Sequence, residues 1–317
     1  MQPNSQPISY DQALFDRRFL DCWRRQALVF MARAGAHTDA LLYSAYVTTN
    51  QIFNETLCGE SPKYAFPTDC LNDEGLALIG WQQTINKCDS FDDVRTTIAD
   101  ALDKSEFAVL MGSVFYFAHN PEFRGEHLNH SIVLTGQGPD GSWTFHDDDP
   151  MTTLRPYSYP DRDVAAFFDN NGTRAVRVFS AVQPPEVKEI DNRATTLFHQ
   201  RLSHHRDDMR LLSDIRAIVT DPYRRLDRVA RHLRESFSLL SGSRSLTARF
   251  LRSVVKDEAS AAVADACAEQ ALFLRNLMMK VEYSGRLNID RLEARCIEIR
   301  DMEHRLLDRL VMKEIPA

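Results

Sequence analysis

NHSIVLTGQGPDGSWTFHDDDP, residues 129–150, is the stretch on which the fold turns. Ser131–Thr135 (SIVLT) reads as an apolar strand. Residues 136–141 contain a Pro-Asp-Gly turn, and SWTFH (142–146) alternates apolar and polar side chains as a hairpin partner does. The returning strand brings the acidic run Asp147-Asp148-Asp149 to the sheet end where His130 begins the outgoing one. Upstream, FAVLMGSVFYF (107–117) is a continuous apolar run of buried-strand type, and AVRVFSA (175–181) alternates again. An antiparallel sheet is therefore expected.

Helical patterns precede this sheet. CWRRQALVFMARA (22–34) reads as a helix ended by Gly35, and Thr38-Asp39 starts another through Tyr46. Residues 73–87 and 91–103 are further helices, the second with Ser90 as its N-cap. Helices followed by antiparallel strands make an α+β order, not a βαβ repeat. The paired prolines in Gln183-Pro184-Pro185 stop regular structure and divide the chain into domains 1–183 and 184–317. The second domain is all-α: 193–219, 221–240, 245–255, 257–283 and 288–312 fit helical spacing. Asp221-Pro222 and Asn288 mark starts there, and Gly242 and Gly285 mark stops.

Composition narrows the class. Of 317 residues 44% are hydrophobic and 26% charged, as in a globular protein. No apolar run is long enough to span a membrane. The start MQPNSQPISYDQ lacks a signal-peptide pattern, so a cytoplasmic setting with reduced cysteines is expected. The six cysteines form no CxxC pair, and neither GxGxxG nor GxxxxGK[ST] occurs, so zinc-finger and nucleotide-fold readings lose support and no resident metal or cofactor is expected. The net charge of −7 conceals an asymmetry: residues 186–317 hold 24 Lys/Arg against 21 Asp/Glu, leaving −10 on residues 1–185.

Cys22 opens its helix, where the positive end of the helix dipole favours a thiolate nucleophile; the adjacent Asp21 opposes that, so a second activating group is needed. His130 at the sheet end is the candidate base. A carboxylate from 147–149 is the candidate orienting acid, Asp147 by strand alternation with Asp149 as the alternative. Cys70 is a rival nucleophile, and His146-Asp147-Asp148-Asp149 a rival site for a hard metal. His204-His205-Arg206-Asp207-Asp208 reads as a solvated helix surface. Arg224, Arg228 and Arg231 fall at i, i+4 and i+7 on one helix face, a surface suited to an acidic partner; the negative chain argues against nucleic acid.

The nucleophile-helix run from Asp21 to Gly35 and the pair NHSIVLTG…SWTFHDDDP, with 108 residues from Cys22 to His130, resemble papain-like folds. They are most similar to the cysteine acyltransferase family of butirosin biosynthesis protein H. The resemblance covers roughly residues 15–182, and relatives often carry a C-terminal extension like the helical tail. It implies a papain-like catalytic domain that takes an acyl or aminoacyl group from the phosphopantetheine thioester of an acidic acyl carrier protein, or from coenzyme A. Cys22 carries the group as a thioester and passes it to a small-molecule amine in natural-product biosynthesis. An amidohydrolase or peptidase using water, and a non-catalytic scaffold, are the alternatives; a homodimer stays open. One departure stands out. The family's upstream oxyanion-hole Gln falls at Asp16, with Gln12 nearest, so the Cys22 backbone N–H is the candidate donor for one half.

Overall fold

A computed structural model describes residues 8–104, 106–149, 153–183 and 185–311. Residues 1–7 of the polar start, Pro150 of the acidic run, Pro184 of the connector and the end of the last helix at 312 lie outside them. The protein is α+β, with a six-stranded antiparallel sheet and many helices. Among the described residues no helix is long and apolar enough to cross a membrane.

The chain forms two compact units that cut it differently from a split at 183/184. One comprises residues 1–15, 22–36 and 76–184; the other comprises 16–21, 37–75 and 185–317. The early segments join the second unit through polar anchors: Arg249 pairs with Asp39 at 2.7 Å, and the Thr56 and Ser236 hydroxyls meet at 2.6 Å. No local pattern in 37–75 announces partners some 180–210 residues downstream.

In the first unit the strands are β1 (Trp81–Lys87), β2 (Phe107–Ser113), β3 (Asn129–Gln137), β4 (Trp143–Asp148), β5 (Leu154–Tyr159) and β6 (Ala175–Ala181). The sheet order is β1-β6-β2-β3-β4-β5, every neighbour antiparallel. The helix expected over 73–87 stops at Leu78; Gly80 takes φ +72° and the chain enters β1. WQQTINK is an edge strand with mostly polar, accessible side chains, so apolar periodicity had little to register.

Helix α1 (Cys22–Arg33) covers one face of the sheet. Trp23 stacks on Phe179, and Phe30 lies 5.5 Å from Phe107. Helices α2 (Phe91–Asp103) and α3 (Asp161–Asp169) supply Phe91, Ile98, Phe167 and Phe168 to a core with Leu110, Ile132, Leu134 and Phe145 on the other face. Helices on both faces explain why every residue of β2 is buried. Ser90 caps α2 through a capping box with Asp93, an arrangement worth about 1 kcal/mol.

The second unit is helical. Its long helices are α4 (Val187–His204), α5 (Leu226–Phe250), α6 (Glu258–Ser284) and α7 (Ile289–Val311). Gly285 ends α6 at φ +65°, and Asn288 caps α7 through the Arg291 N–H at 2.9 Å. Gly242 does not end a helix. It lies inside α5, where a Cβ would come within 2.7 Å of the Phe19 Cβ, so its role is close approach. Asp221-Pro222 forms a turn closed by the Asp221 carboxylate on Tyr223 N–H, and α5 starts only at Leu226. His205 and Asp207 are not merely solvated. The His205 ring stacks on Tyr46, and the Asp207 carboxylate accepts from the Thr49 and Asn50 N–H groups.

Candidate functional site

Cys22 is the first residue of α1 and is half-buried. Its backbone N–H belongs to the first turn, where such groups have no intrahelical acceptor. One turn on, the fully buried Gln26 anchors the helix to β3: its amide donates to Ser131 O at 2.8 Å and accepts from Ser131 Oγ at 2.6 Å. Arg25 reaches the other way and binds Asp148 of β4 at 2.5 Å, both side chains only 6% exposed. Two anchors on consecutive residues thus hold α1 against β3 and β4 beside His130.

His130 is the second residue of β3. Its Nε2 lies 2.6 Å from Asp147 Oδ1, and the ring is also hydrogen-bonded to Cys22. With Nε2 taken by the carboxylate, Nδ1 is the nitrogen left for the sulfur. Burial opposes a charge on this ring, but Asp147 and Cys22 outweigh it and hold the imidazole well above its ordinary value of 6.5. The contrast is His146, on the opposite face of β4 and edge-on to Phe30: burial, then the charge of Arg33, push it down to about 4.

Asp147 is completely buried. Its Oδ1 accepts from His130 and from the Asp148 N–H at 2.7 Å; its Oδ2 lies 2.9 Å from His119 Nε2. Burial alone would raise this carboxyl, yet the two imidazoles hold it well below the usual carboxylate range. Asp149 serves elsewhere. Its Oδ1 accepts from Thr153 N–H at 2.7 Å and its Oδ2 pairs with Arg155 at 2.6 Å, so it secures the β4–β5 connection. Of the two candidate acids, only Asp147 meets His130.

Gly112 pairs with His130 across β2 and β3. A Cβ there would lie 2.1 Å from the Phe167 ring and 2.5 Å from its carbonyl oxygen, so α3 can pack beside this pair only over a bare backbone. Gly112→Ala is expected to destabilise the protein by about 2–3 kcal/mol, because neither neighbour is a free side-chain end. Denaturant titration measures it; a loss below about 0.5 kcal/mol would contradict the close-approach role.

The other candidates fare differently. Cys70 is fully buried, 3.6 Å from Ser44 Oγ. His130, Asp147 and Asp148 offer ligand atoms within 4.8 Å of one another, but Arg25 already balances Asp148 and His119 and His130 engage Asp147. Gln12 is exposed, and Asp16 binds the Arg18 backbone N–H and guanidinium in a local turn. The arginines do not share one helix face, because Arg224 precedes α5. Each has an acceptor in its own unit: Arg224 donates to Leu57 O at 3.0 Å, Arg228 pairs with Glu60 at 2.7 Å and Arg231 with Glu282 at 3.0 Å.

His119, Gln26 and Ser131 escaped the sequence reading. The available signals were a glutamine at i+4 from Cys22 inside an apolar helix, and the polar His119-Asn120 directly after an apolar run. No protein-family model matches this chain, and a search of curated proteins returned no match either.

Proposed function

We propose that this protein is a cysteine-dependent acyltransferase with a papain-like catalytic unit, in which Cys22 is the nucleophile, His130 the base and Asp147 the orienting acid. The observation that carries it is the continuous contact from Cys22 through His130 to Asp147, with Cys22 at a helix start and half-buried. Asp147 favours the imidazolium, and an imidazolium beside the sulfur favours thiolate.

The thiolate attacks the carbonyl carbon of an acyl thioester and the electrons move to oxygen, to which the Cys22 N–H donates. Collapse breaks the donor carbon–sulfur bond; the departing thiol takes the proton from His130. A primary amine then attacks the Cys22 thioester, gives a proton to His130, and releases the amide as the proton returns to sulfur. The proposed donor is the phosphopantetheine thioester of an acidic carrier protein, or coenzyme A. A carrier at Arg224, Arg228 and Arg231 would displace ion pairs whose arginine ends are 41–65% exposed, each worth at most about 1 kcal/mol.

The test is incubation with acyl-coenzyme A or an acyl-phosphopantetheine thioester and intact-mass measurement. The wild type should gain one acyl group, Cys22→Ala should gain none, and an added amine should discharge the adduct as amide. An adduct persisting in Cys22→Ala overturns the assignment. Discharge to free acid regardless of amine would instead make the protein a cysteine hydrolase using the same residues.

A further inference from the structure

His119 lies in the connection between β2 and β3, its side chain 9% exposed. The ring is stacked on Tyr157 of β5 at 3.7 Å between centroids and 14° between planes, and it also stacks against Phe117. Both nitrogens are engaged: Nε2 faces Asp147 Oδ2 at 2.9 Å, and Nδ1 faces the Tyr159 hydroxyl at 3.1 Å. The backbone N–H of His119 donates to the same hydroxyl at 3.2 Å.

An ionised carboxylate only accepts, so the ring nitrogen that faces Asp147 carries a proton. The Tyr159 oxygen already accepts the backbone N–H, so its own proton is free to go to Nδ1. With Nδ1 accepting, the proton of a neutral ring sits on Nε2, aimed at Asp147. Burial raises Tyr159 above its ordinary value, which keeps that phenol protonated and able to donate.

Asp147 is therefore held at both oxygens by imidazole N–H groups on one side and the other: His130 at Oδ1, which touches the nucleophile, and His119 at Oδ2, which does not. We propose that His119 is a positioning residue of the acyl-transfer site, an N–H donor held by Tyr159 that fixes the rotation and charge of Asp147 and, through it, the His130–Cys22 pair. This deepens the acyltransferase reading and rests on it.

Other charged or titratable groups face the array. Cys22 and Arg25 come from α1, Asp148 from β4, and Tyr157, Tyr159 and Arg155 from β5, with Asp163 of α3 near Tyr159. Tyr157 is pushed up to about 12 by burial and then by Asp147 and Asp149, so it stays protonated through the neutral range.

The test needs no substrate. Iodoacetamide labelling of Cys22, resolved from the other five cysteines by peptide mass spectrometry, is followed against pH in the full chain. Without the His119 donor, Asp147 turns more freely and supports the imidazolium less, so the thiolate forms at higher pH. His119→Ala should move the half-maximal pH up by about one unit and slow labelling near neutrality about tenfold. His119→Gln, whose amide can donate to Oδ2, should stay within about threefold of wild type.

Profiles that superimpose for His119→Ala and wild type, while His130→Ala shifts strongly, overturn the role of His119 alone. Equal shifts in His119→Gln and His119→Ala overturn its role as a donor. No shift in either His119→Ala or His130→Ala overturns the acyl-transfer reading itself. If His119→Ala does not fold, Tyr159→Phe tests the same chain by releasing Nδ1. About threefold slower labelling is then expected, and an unchanged profile overturns the proposal.

Discussion

Asp147→Asn is expected to slow acylation of Cys22 by about 10³–10⁴-fold, the scale of replacing the orienting Asp in a serine-protease triad. The substitution preserves shape and removes the charge opposite His130 at 2.6 Å. Burial then acts on the ring unopposed by that carboxylate, so the His130 titration midpoint, read by NMR, should fall from its elevated position. The signs for stability follow from the two shifts. His130 is raised, so its contribution is fully present below 6.5 and fades as pH rises through its folded midpoint. Asp147 is lowered, so its contribution is present above 3.8 and fades as pH falls through its folded midpoint. Both contributions coexist at about pH 5–6, where Asp147→Asn should show its largest stability loss. Acylation within tenfold of wild type would remove Asp147 from the array.

Glu303→Gln is expected to cost about 3–5 kcal/mol of stability in the helical unit. Arg244 of α5 and Glu303 of α7 are both completely buried, with Nε 2.7 Å from Oε1. Arg244 also donates to Val47 O at 2.9 Å and lies 3.9 Å over the Tyr46 ring, whose hydroxyl reaches Glu303 Oε2 at 3.4 Å. Tyr46 is raised, first by burial, and the Cys267 thiol is pushed up by burial and then by Glu303. In this dry setting a guanidinium without its carboxylate is an uncompensated charge. The desolvation penalty of both ions makes the intact pair a weak net stabiliser, so the double variant Arg244→Met/Glu303→Leu should retain more stability than Glu303→Gln. Urea unfolding of the full chain, followed by far-ultraviolet circular dichroism, measures both. A single-variant loss under about 1 kcal/mol, or a double variant worse than the single, would refute the buried-charge account.

Much of the sheet-bearing unit could be read directly from the chain. The Cys22 helix and its Gly35 end, the Ser90 cap, and the strands at 107–113, 129–137, 143–148 and 175–181 all carry strong local signals. β5 (LRPYSY) has a proline inside an edge strand, and β1 is too polar to alternate clearly; both depend on pairing partners. The arginines do not share one helix face for a related reason, since Arg224 precedes α5. Charge spacing says where cations fall on an ideal helix, but not where the helix begins or which acids arrive from elsewhere.

Local sequence determined which residues stand at helix starts and sheet ends, because caps, turns and periodicity act over a few residues. It thereby placed Cys22 at the head of α1 and brought an acidic run back toward His130. Tertiary structure alone decided that Asp147 and not Asp149 meets His130, that His119 completes the carboxylate's shell, and that residues 37–75 join the helical unit. Those outcomes depend on which buried donors satisfy which acceptors. That pairing is settled only when strands and helices far apart in sequence pack and exclude water.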